Sequence, residues 1–394
     1  MYNKKPIIIT ALITAFLTSA FYMTPAGRGI CSFVSYLSGD VSFSSKADKM
    51  SELIDKYYIN NYDREKMEEA ALSAYAAEAN DPYTAYISKT NYTAMLESMG
   101  GDYEGIGVEV YIDGDNITIL SVFDNSPAKK AGILKGDIIV AVEGEKADAS
   151  NYQESINKIK GIDADEGDKD VVITIMRGEE KMDITLVREA VSVSTVFSKV
   201  IDSSVGYIRL TDFGEKTYME FANHYSDLKD KNIKGLIIDL RNNPGGMLDT
   251  VVSIADAILP VGNILTIKDK QGTETEYTSD EKCIDLPMCV IINENSASAS
   301  EVLAGAIRDH KAGTLVGAKS YGKGVVQSLM EFGDGSAFKL TTAKYYTPDG
   351  ECIDGVGITP DIEVALPEQV SHKSINELTL DEDEQLRAAL QIVK

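Results

Sequence analysis

The chain is expected to fold as an α/β protein with a separate β-rich module and helices on its N-terminal side. Three observations lead there. From Val205 onward, short apolar runs of β character alternate with helical stretches, the pattern of an α/β core. Between Gly105 and about Glu189 the chain is dominated by short strand-like runs. From Ala47 to Asn80 apolar residues recur at helical spacing. At 394 residues there is room for two or three domains, with enough apolar residues for a sizeable core.

The N-terminal end carries an uncharged apolar run over residues 6–23, preceded by Lys4 and Lys5. It is short for a spanning helix but crosses a bilayer if its flanking residues snorkel. The two lysines place the N-terminus in the cytoplasm. A cleaved signal peptide is the competing reading, with Thr18-Ser19-Ala20 or Thr24-Pro25-Ala26 as the cleavage site. Both are poor small-residue signals, so an uncleaved anchor over residues 1–24 is favoured. A lipoprotein reading at Cys31 fails, because Ile30 is large where a small residue is needed. Residues 25–46, rich in Gly and Ser, read as a linker. In the helical region, residues 47–99, Met50, Leu53, Ile54 and Tyr57 form one stripe, and Asp81-Pro82 breaks the pattern. Read by itself, this region is a simple cap on the core.

In the second half, the runs 205–210, 236–240, 264–267, 290–292 and 314–316 read as strands, and 247–259 and 298–310 as helices. The end of the chain, residues 367–394, is expected to dock a helix through Leu386, Ala389, Leu390 and Val393.

Three loops of this core carry the chemistry. LIIDLRNNPGG (236–246) is a buried strand emptying into a turn, and the amides of Gly245 and Gly246 at its mouth suit an oxyanion hole. In NENSASASE (293–301), Ser298 and Glu301 fit the S-x-x-E capping box, so Ser298 can be a helix cap and no more. The same geometry places Ser298 where a helix N-terminus favours an alkoxide or oxyanion. In YGKGVVQ (321–327), Lys323 lies between two glycines that permit a tight turn and close approach to a substrate. A lysine is a base only if burial lowers its pKa; the plain alternative is a solvated turn lysine. If the run through Val325 and Val326 is extended, Gln327 shares a face with Lys323 and can support it. The run 317–323 lacks the final hydroxyl residue of a phosphate-binding P-loop, and Ser320 with Lys323 forms an S-x-x-K that recurs elsewhere in the chain.

Composition narrows the classes. A net charge of −24 argues against nucleic acid and against lying flat on an anionic membrane, and it discourages acidic substrates. The four cysteines, Cys31, Cys283, Cys289 and Cys352, show no C-x-x-C spacing, so no zinc site, and no metal or cofactor, is expected. A Cys283–Cys289 bridge stays open. The three histidines, His224, His310 and His372, belong to no H-E-x-x-H and accompany no G-x-S-x-G elbow, although a distant triad remains conceivable.

In their order RNNPGG, NxxSASASE and YGKGxxQ, the three loops closely resemble the carboxyl-terminal processing peptidases (tail-specific proteases). The spacing of Ser298 and Lys323 is the one associated with that family. The resemblance implies a crotonase-like (Clp-protease-like) core over residues 191–366. It also implies Ser298 as nucleophile, Lys323 as general base, Gln327 as its support, and Ala299 with Gly245 or Gly246 as the oxyanion hole, and it makes a dimerisation arm the alternative to a cap for residues 47–99. Glu351 and Cys352 depart from a usually more basic segment, and Lys160 stands where an arginine is expected. Residues 100–190 resemble a bacterial PDZ domain through SPAxxAGxxxGDxIxxVxG, with Gly105, Ile106, Gly107 and Val108 as its carboxylate loop. A PDZ domain takes a peptide as an added strand; the alternative is that the module only braces the core.

The expectation is therefore a membrane-anchored serine endopeptidase outside the cytoplasmic membrane, cutting proteins near free C-termini, with a homodimer as one possibility and secretion after signal cleavage as the alternative location. The rival readings are a PDZ scaffold with a vestigial site and a crotonase-fold acyl-CoA enzyme.

Overall fold

A computed structural model of the chain describes residues 42–162, 167–370 and 373–394. The proposed anchor, most of the linker, Cys31 and His372 lie outside these residues. Among the described residues no helix is long and apolar enough to cross a membrane. The chain divides into two compact units, residues 1–71 and 72–394.

In the first unit, helix α1 (Phe43–Tyr57) starts on the Ser42 cap, whose hydroxyl accepts from the Ser45 N–H. It is followed by the start of α2 (Arg64–Ala77). Asp55 accepts from both Tyr62 and Arg64, which holds the two helices together. The apolar stripe anticipated on α1 stays largely in solvent, with Met50, Leu53 and Tyr57 exposed.

The second unit begins with β1 (Ala85–Ile87) and α3 (Lys89–Gly100). The β-rich module follows. A short ribbon, β2 (Asp102–Gly105) with β9 (Glu189–Ser192), closes its two ends. Between them lie β3 (Val108–Asp113), β4 (Asn116–Val122), β5 (Ile138–Val142), β6 (Glu145–Lys146), β7 (Asp170–Arg177) and β8 (Glu180–Val187). They form one antiparallel sheet in the order β3-β4-β5-β7-β8, with β6 on β5. Helices α4 (Pro127–Lys130) and α5 (Tyr152–Lys160) complete the module. Its own core gathers Ile106, Ile117, Ile119, Ile139, Ile173 and Ile175. Arg188 is buried and donates to the carbonyls of Lys158 and Ile159, satisfying the last turn of α5.

The second half of the chain is built on a six-stranded sheet. Its strands are β10 (Val196–Ile201), β11 (Val205–Leu210), β12 (Gly235–Asp239), β15 (Met288–Ile292), β16 (Thr314–Gly317) and β19 (Ile362–Glu363), in that order. All but the β10–β11 pair are parallel. A parallel sheet needs cover on both faces, and alternation along the strands supplies it. Leu236, Ile238, Val290 and Ile292 face the larger core, formed with α6 (Thr217–Asp230), α7 (Leu248–Ile258) and α8 (Ala299–Asp309). Ile237, Cys289 and Ile291 face the other way, under α9 (Glu384–Val393). Leu386, Ala389, Leu390 and Val393 of α9 are buried there, as the sequence pattern anticipates.

Arg241, wholly buried, fastens this last helix. It pairs with Asp239 at the end of β12 and with Asp383, the cap of α9, and it also donates to Gln385. A second, antiparallel sheet flanks the core. It joins β1, β13 (Gly262–Asp269), β14 (Glu274–Ser279), β17 (Val325–Glu331) and β18 (Ala337–Tyr346). Pairing of Ala85 with Lys339 carries the segment before β1 onto this second sheet.

Candidate active site

In open α/β sheets, ligands collect outside the carboxyl ends of the strands. The three loops singled out from the sequence leave the carboxyl ends of three neighbouring parallel strands, β12, β15 and β16. Side chains sew the first two together. Ser296 Oγ donates to the Leu240 carbonyl at 2.8 Å, Ser300 Oγ to the Asn243 carbonyl at 2.9 Å, and Asn293 Nδ2 to Asn242 Oδ1 at 2.8 Å.

Ser298 is half-buried and is the N-cap of α8, with φ +54° and ψ −113°. A serine in that region stores roughly 1–3 kcal/mol of strain, which the surrounding bonds must hold in place. The capping relation anticipated from S-x-x-E is present: the Ser298 N–H donates to Glu301 Oε2 at 2.9 Å. Glu301, however, does more than cap.

Glu301 is wholly buried, and it joins the serine loop to the lysine loop. Its Oε1 accepts from Ser320 Oγ at 2.5 Å and from the Gly322 N–H at 2.7 Å. Its Oε2 accepts from the Ser298 and Lys323 N–H groups, each at 2.9 Å. One carboxylate thus fixes the backbones of Ser298 and Lys323 relative to each other. Tyr345 of β18, also buried, acts likewise: its hydroxyl lies 2.5 Å from the Lys323 carbonyl and 3.1 Å from the Ser298 carbonyl. Neither residue was singled out for such a role from the sequence. The one available signal was the S-x-x-E spacing, which looks the same in an ordinary cap.

Lys323 lies in the loop before β17 and is half-buried. Burial, with the charge of Lys339 nearby, pushes its amine below the ordinary lysine range, against the opposing pull of Glu301 and Asp81. Its Nζ sits 5.0 Å from the centre of the Tyr83 ring. No hydrogen bond joins Nζ to Ser298 Oγ or to Gln327 among the described residues. Gln327 is half-buried, and its Nε2 is a buried donor without a partner. Lys323 lies two residues before β17, which carries Gln327, and the extra residue of the bulge opposite Val326 and Gln327 is Thr342 on β18. The fold itself requires the flanking glycines. Gly322 has φ +92°, and a Cβ on Gly324 would lie 2.3 Å from the Asp354 nitrogen.

On the opposite side of Ser298, Gly245 has φ +112°, and a Cβ there would come within 2.8 Å of Ser298 Cβ. Its N–H is already given to Asn243 Oδ1 at 2.9 Å. Gly246, exposed, has φ +141° and lies against Phe213. Ala299 opens α8, and its N–H is among those an α-helix leaves without an internal partner.

In the β-rich module, the segment Gly105, Ile106, Gly107 and Val108 runs from β2 into β3. Ala128 donates to the Ile106 carbonyl and Phe123 to that of Gly107, and Ile106 is buried. Gly107 has φ +78°, and a Cβ on it would collide with Ser126 at 2.2 Å. A cleft of about 390 Å³ lies between this module and the core, bordered by Val108, Phe123 and Lys160 on one side and Thr195, Asp212 and Thr217 on the other. Burial raises the Asp212 carboxyl to about 6. Glu351, one of the departures from the expected pattern, pairs with Arg308 at 2.7 Å.

Other candidate chemistry falls away from this face. His310 caps the far end of α8 from Ser298 and bonds the Asn263 carbonyl, while His224 bonds Ser198. Cys283 and Cys289 are both free, the first exposed and the second buried in the sheet, so the bridge left open by the sequence is not formed. Among the described residues no cluster of His, Cys, Asp and Glu could hold a metal ion.

Comparison with known proteins identifies two regions of the chain. Residues 204–364 match peptidase family S41, and residues 104–187 match a PDZ domain. A carboxy-terminal-processing protease of Bartonella bacilliformis is 36% identical over 343 residues, covering 84% of this chain and 77% of the relative. The carboxy-terminal processing protease CtpA of Bacillus subtilis is 32% identical over 371 residues, covering 93% and 79%. Among solved structures, an S41 protease of Bacteroides fragilis shares the fold, with a TM-score of 0.56 at 16% identity over 85% of this chain and 92% of that one. The chain belongs to peptidase family S41 and is a serine-type peptidase that carries a PDZ domain.

Proposed function

We propose that this peptidase works through Ser298 and Lys323 and cuts protein substrates near their free C-termini. The observation that carries the reading is the clamp of Glu301 and Tyr345, which ties the backbone of Ser298 to that of a half-buried lysine with a lowered pKa. Ser298 Oγ attacks the scissile carbonyl, and neutral Lys323 takes its proton. The oxyanion that forms is met by the Ala299 amide and by the Gly245–Gly246 turn, where Gly246 is the better donor because the Gly245 N–H is already engaged. The lysine ammonium then protonates the leaving amine, and the acyl-enzyme is hydrolysed by a water that the lysine deprotonates. Gln327 supports the amine in its neutral form.

The Gly105–Val108 loop receives the substrate carboxylate, and the adjoining cleft leads from it toward the core. The module delivers substrate or also blocks the site until a tail binds. Residues 1–24 hold the enzyme at the outer face of the cytoplasmic membrane, and the exposed stripe of α1 is where a homodimer would form. The names of its relatives support C-terminal processing.

The test is direct. Ser298→Ala and Lys323→Ala should each abolish peptide cleavage in a folded protein, and the double variant should be no worse than either, since the two groups act as one unit. Substantial activity in Lys323→Ala would refute the mechanism. Equal cleavage of substrates with free and amidated C-termini would refute carboxylate recognition.

A further inference from the structure

We propose that Tyr83 is a positioning residue for Lys323: its ring face holds the ε-ammonium in the resting enzyme and releases the amine when the proton is lost. This rests on the reading of Lys323 as the general base. The Tyr83 ring centre is 5.0 Å from Lys323 Nζ, within the range of a cation–π contact. No ion pair or hydrogen bond to another described residue competes for Nζ.

The ring is fixed from behind. Asp81 accepts from the Tyr83 N–H at 3.2 Å and from Thr84 Oγ1 at 2.5 Å. Thr84 Oγ1 in turn accepts from the Thr341 N–H at 3.2 Å, and β1 continues the attachment by pairing with β18. Burial, and a hydrogen bond with Tyr321, push the Tyr83 hydroxyl up to about 12, so the ring stays a neutral phenol at working pH.

The other half of the arrangement is Gln327. Its buried Nε2 is a donor without an acceptor. An ammonium cannot accept that bond, because it has no lone pair; a neutral amine can. The electron-rich ring holds the charged amine and loses its hold on the neutral one; on the reading of Gln327 as the support of Lys323, that amide would donate only to the neutral form. A ring that favours the ammonium raises the pH at which the base becomes available, opposing the effect of burial.

The experiment replaces Tyr83 by phenylalanine in the full chain, then by phenylalanines bearing one, two and three ring fluorines, which weaken the π face at nearly constant shape. The readout is the rising limb of kcat/KM against pH, which reports the free enzyme's base. With each fluorine the limb should move to lower pH, by about half a unit to one unit in all, and Tyr83→Leu should lie at the low end. A limb that stays fixed across the series, or moves upward, overturns the proposal. Lys323→Ala is measured alongside. If it retains activity, the base reading itself fails. If it is inactive while the limb is fixed, only the role of the ring is refuted.

Discussion

Replacing Glu301 by glutamine should separate the serine loop from the lysine loop. Each carboxylate oxygen takes two donors: Ser320 Oγ and the Gly322 N–H on Oε1, the Ser298 and Lys323 N–H groups on Oε2. A glutamine amide keeps one oxygen and turns an NH2 toward the other pair. Two charge-assisted bonds are lost at about 1.5–3 kcal/mol each, or about 3–6 kcal/mol together. Part of this appears as lower stability and part as a shift of the loops, and a shift of about 1 Å at a reacting pair costs on the order of 10²-fold in rate. The assay is kcat/KM on a peptide substrate together with the urea midpoint of unfolding. Glu301→Asp keeps the charge but loses a methylene of reach, so it should impair activity while losing less stability than Glu301→Gln. A Glu301→Gln enzyme within twofold of wild type in kcat/KM, with an unchanged midpoint, would refute the clamp.

Two further outcomes follow from the same structure. Burial alone would raise the Asp239 carboxyl, but the charge and hydrogen bonds of Arg241 outweigh it and hold it below the usual range. Its contribution to stability is therefore complete above the unfolded value, about 3.9, and is lost as pH falls through the lower folded value. Asp239→Asn should be less stable near pH 7 by about 3–5 kcal/mol and should show a flatter loss of urea midpoint below pH 4 than wild type. Gly107→Val places a Cβ where Ser126 already stands, at a φ that valine resists. Binding of a free-carboxylate peptide, followed by fluorescence anisotropy, should weaken by about tenfold or more, equivalent to about 1.4 kcal/mol; unchanged affinity would remove the loop from recognition.

Much of the core was legible because its strands are buried on both faces. The runs at 205–210, 236–240 and 290–292 contain hardly a polar residue, and the helices at 247–259 and 298–310 carry clear stripes. The antiparallel β17–β18 hairpin and β1 were not foreseen, since their half-buried residues mix polar and apolar types without a strict period. Helix α6 was missed for a similar reason, with only Thr217, Phe221 and Leu228 buried along it. At the site, Ser298 and Lys323 could be read because each lies in a short, distinctive loop. Tyr83 could not be linked to them, because its contact with Lys323 joins segments far apart in the chain and leaves no local pattern. Asp383 drew no notice within the C-terminal segment, while in three dimensions it shares Arg241 with Asp239.

The strand β1 has a consequence for the order of assembly. It reaches the catalytic face only by pairing with β18, which is synthesised long after it. Closing so long a loop is entropically slow and comes after local structure has formed. A growing chain can thus hold its PDZ module and much of its parallel sheet while Tyr345 of β18 has not yet tied Lys323 to Ser298. Such a chain would be a silent precursor, unable to digest its neighbours on the way to its final location. The same strand, if it peels away first on heating, would shift the pH dependence of catalysis before the molecule as a whole melts.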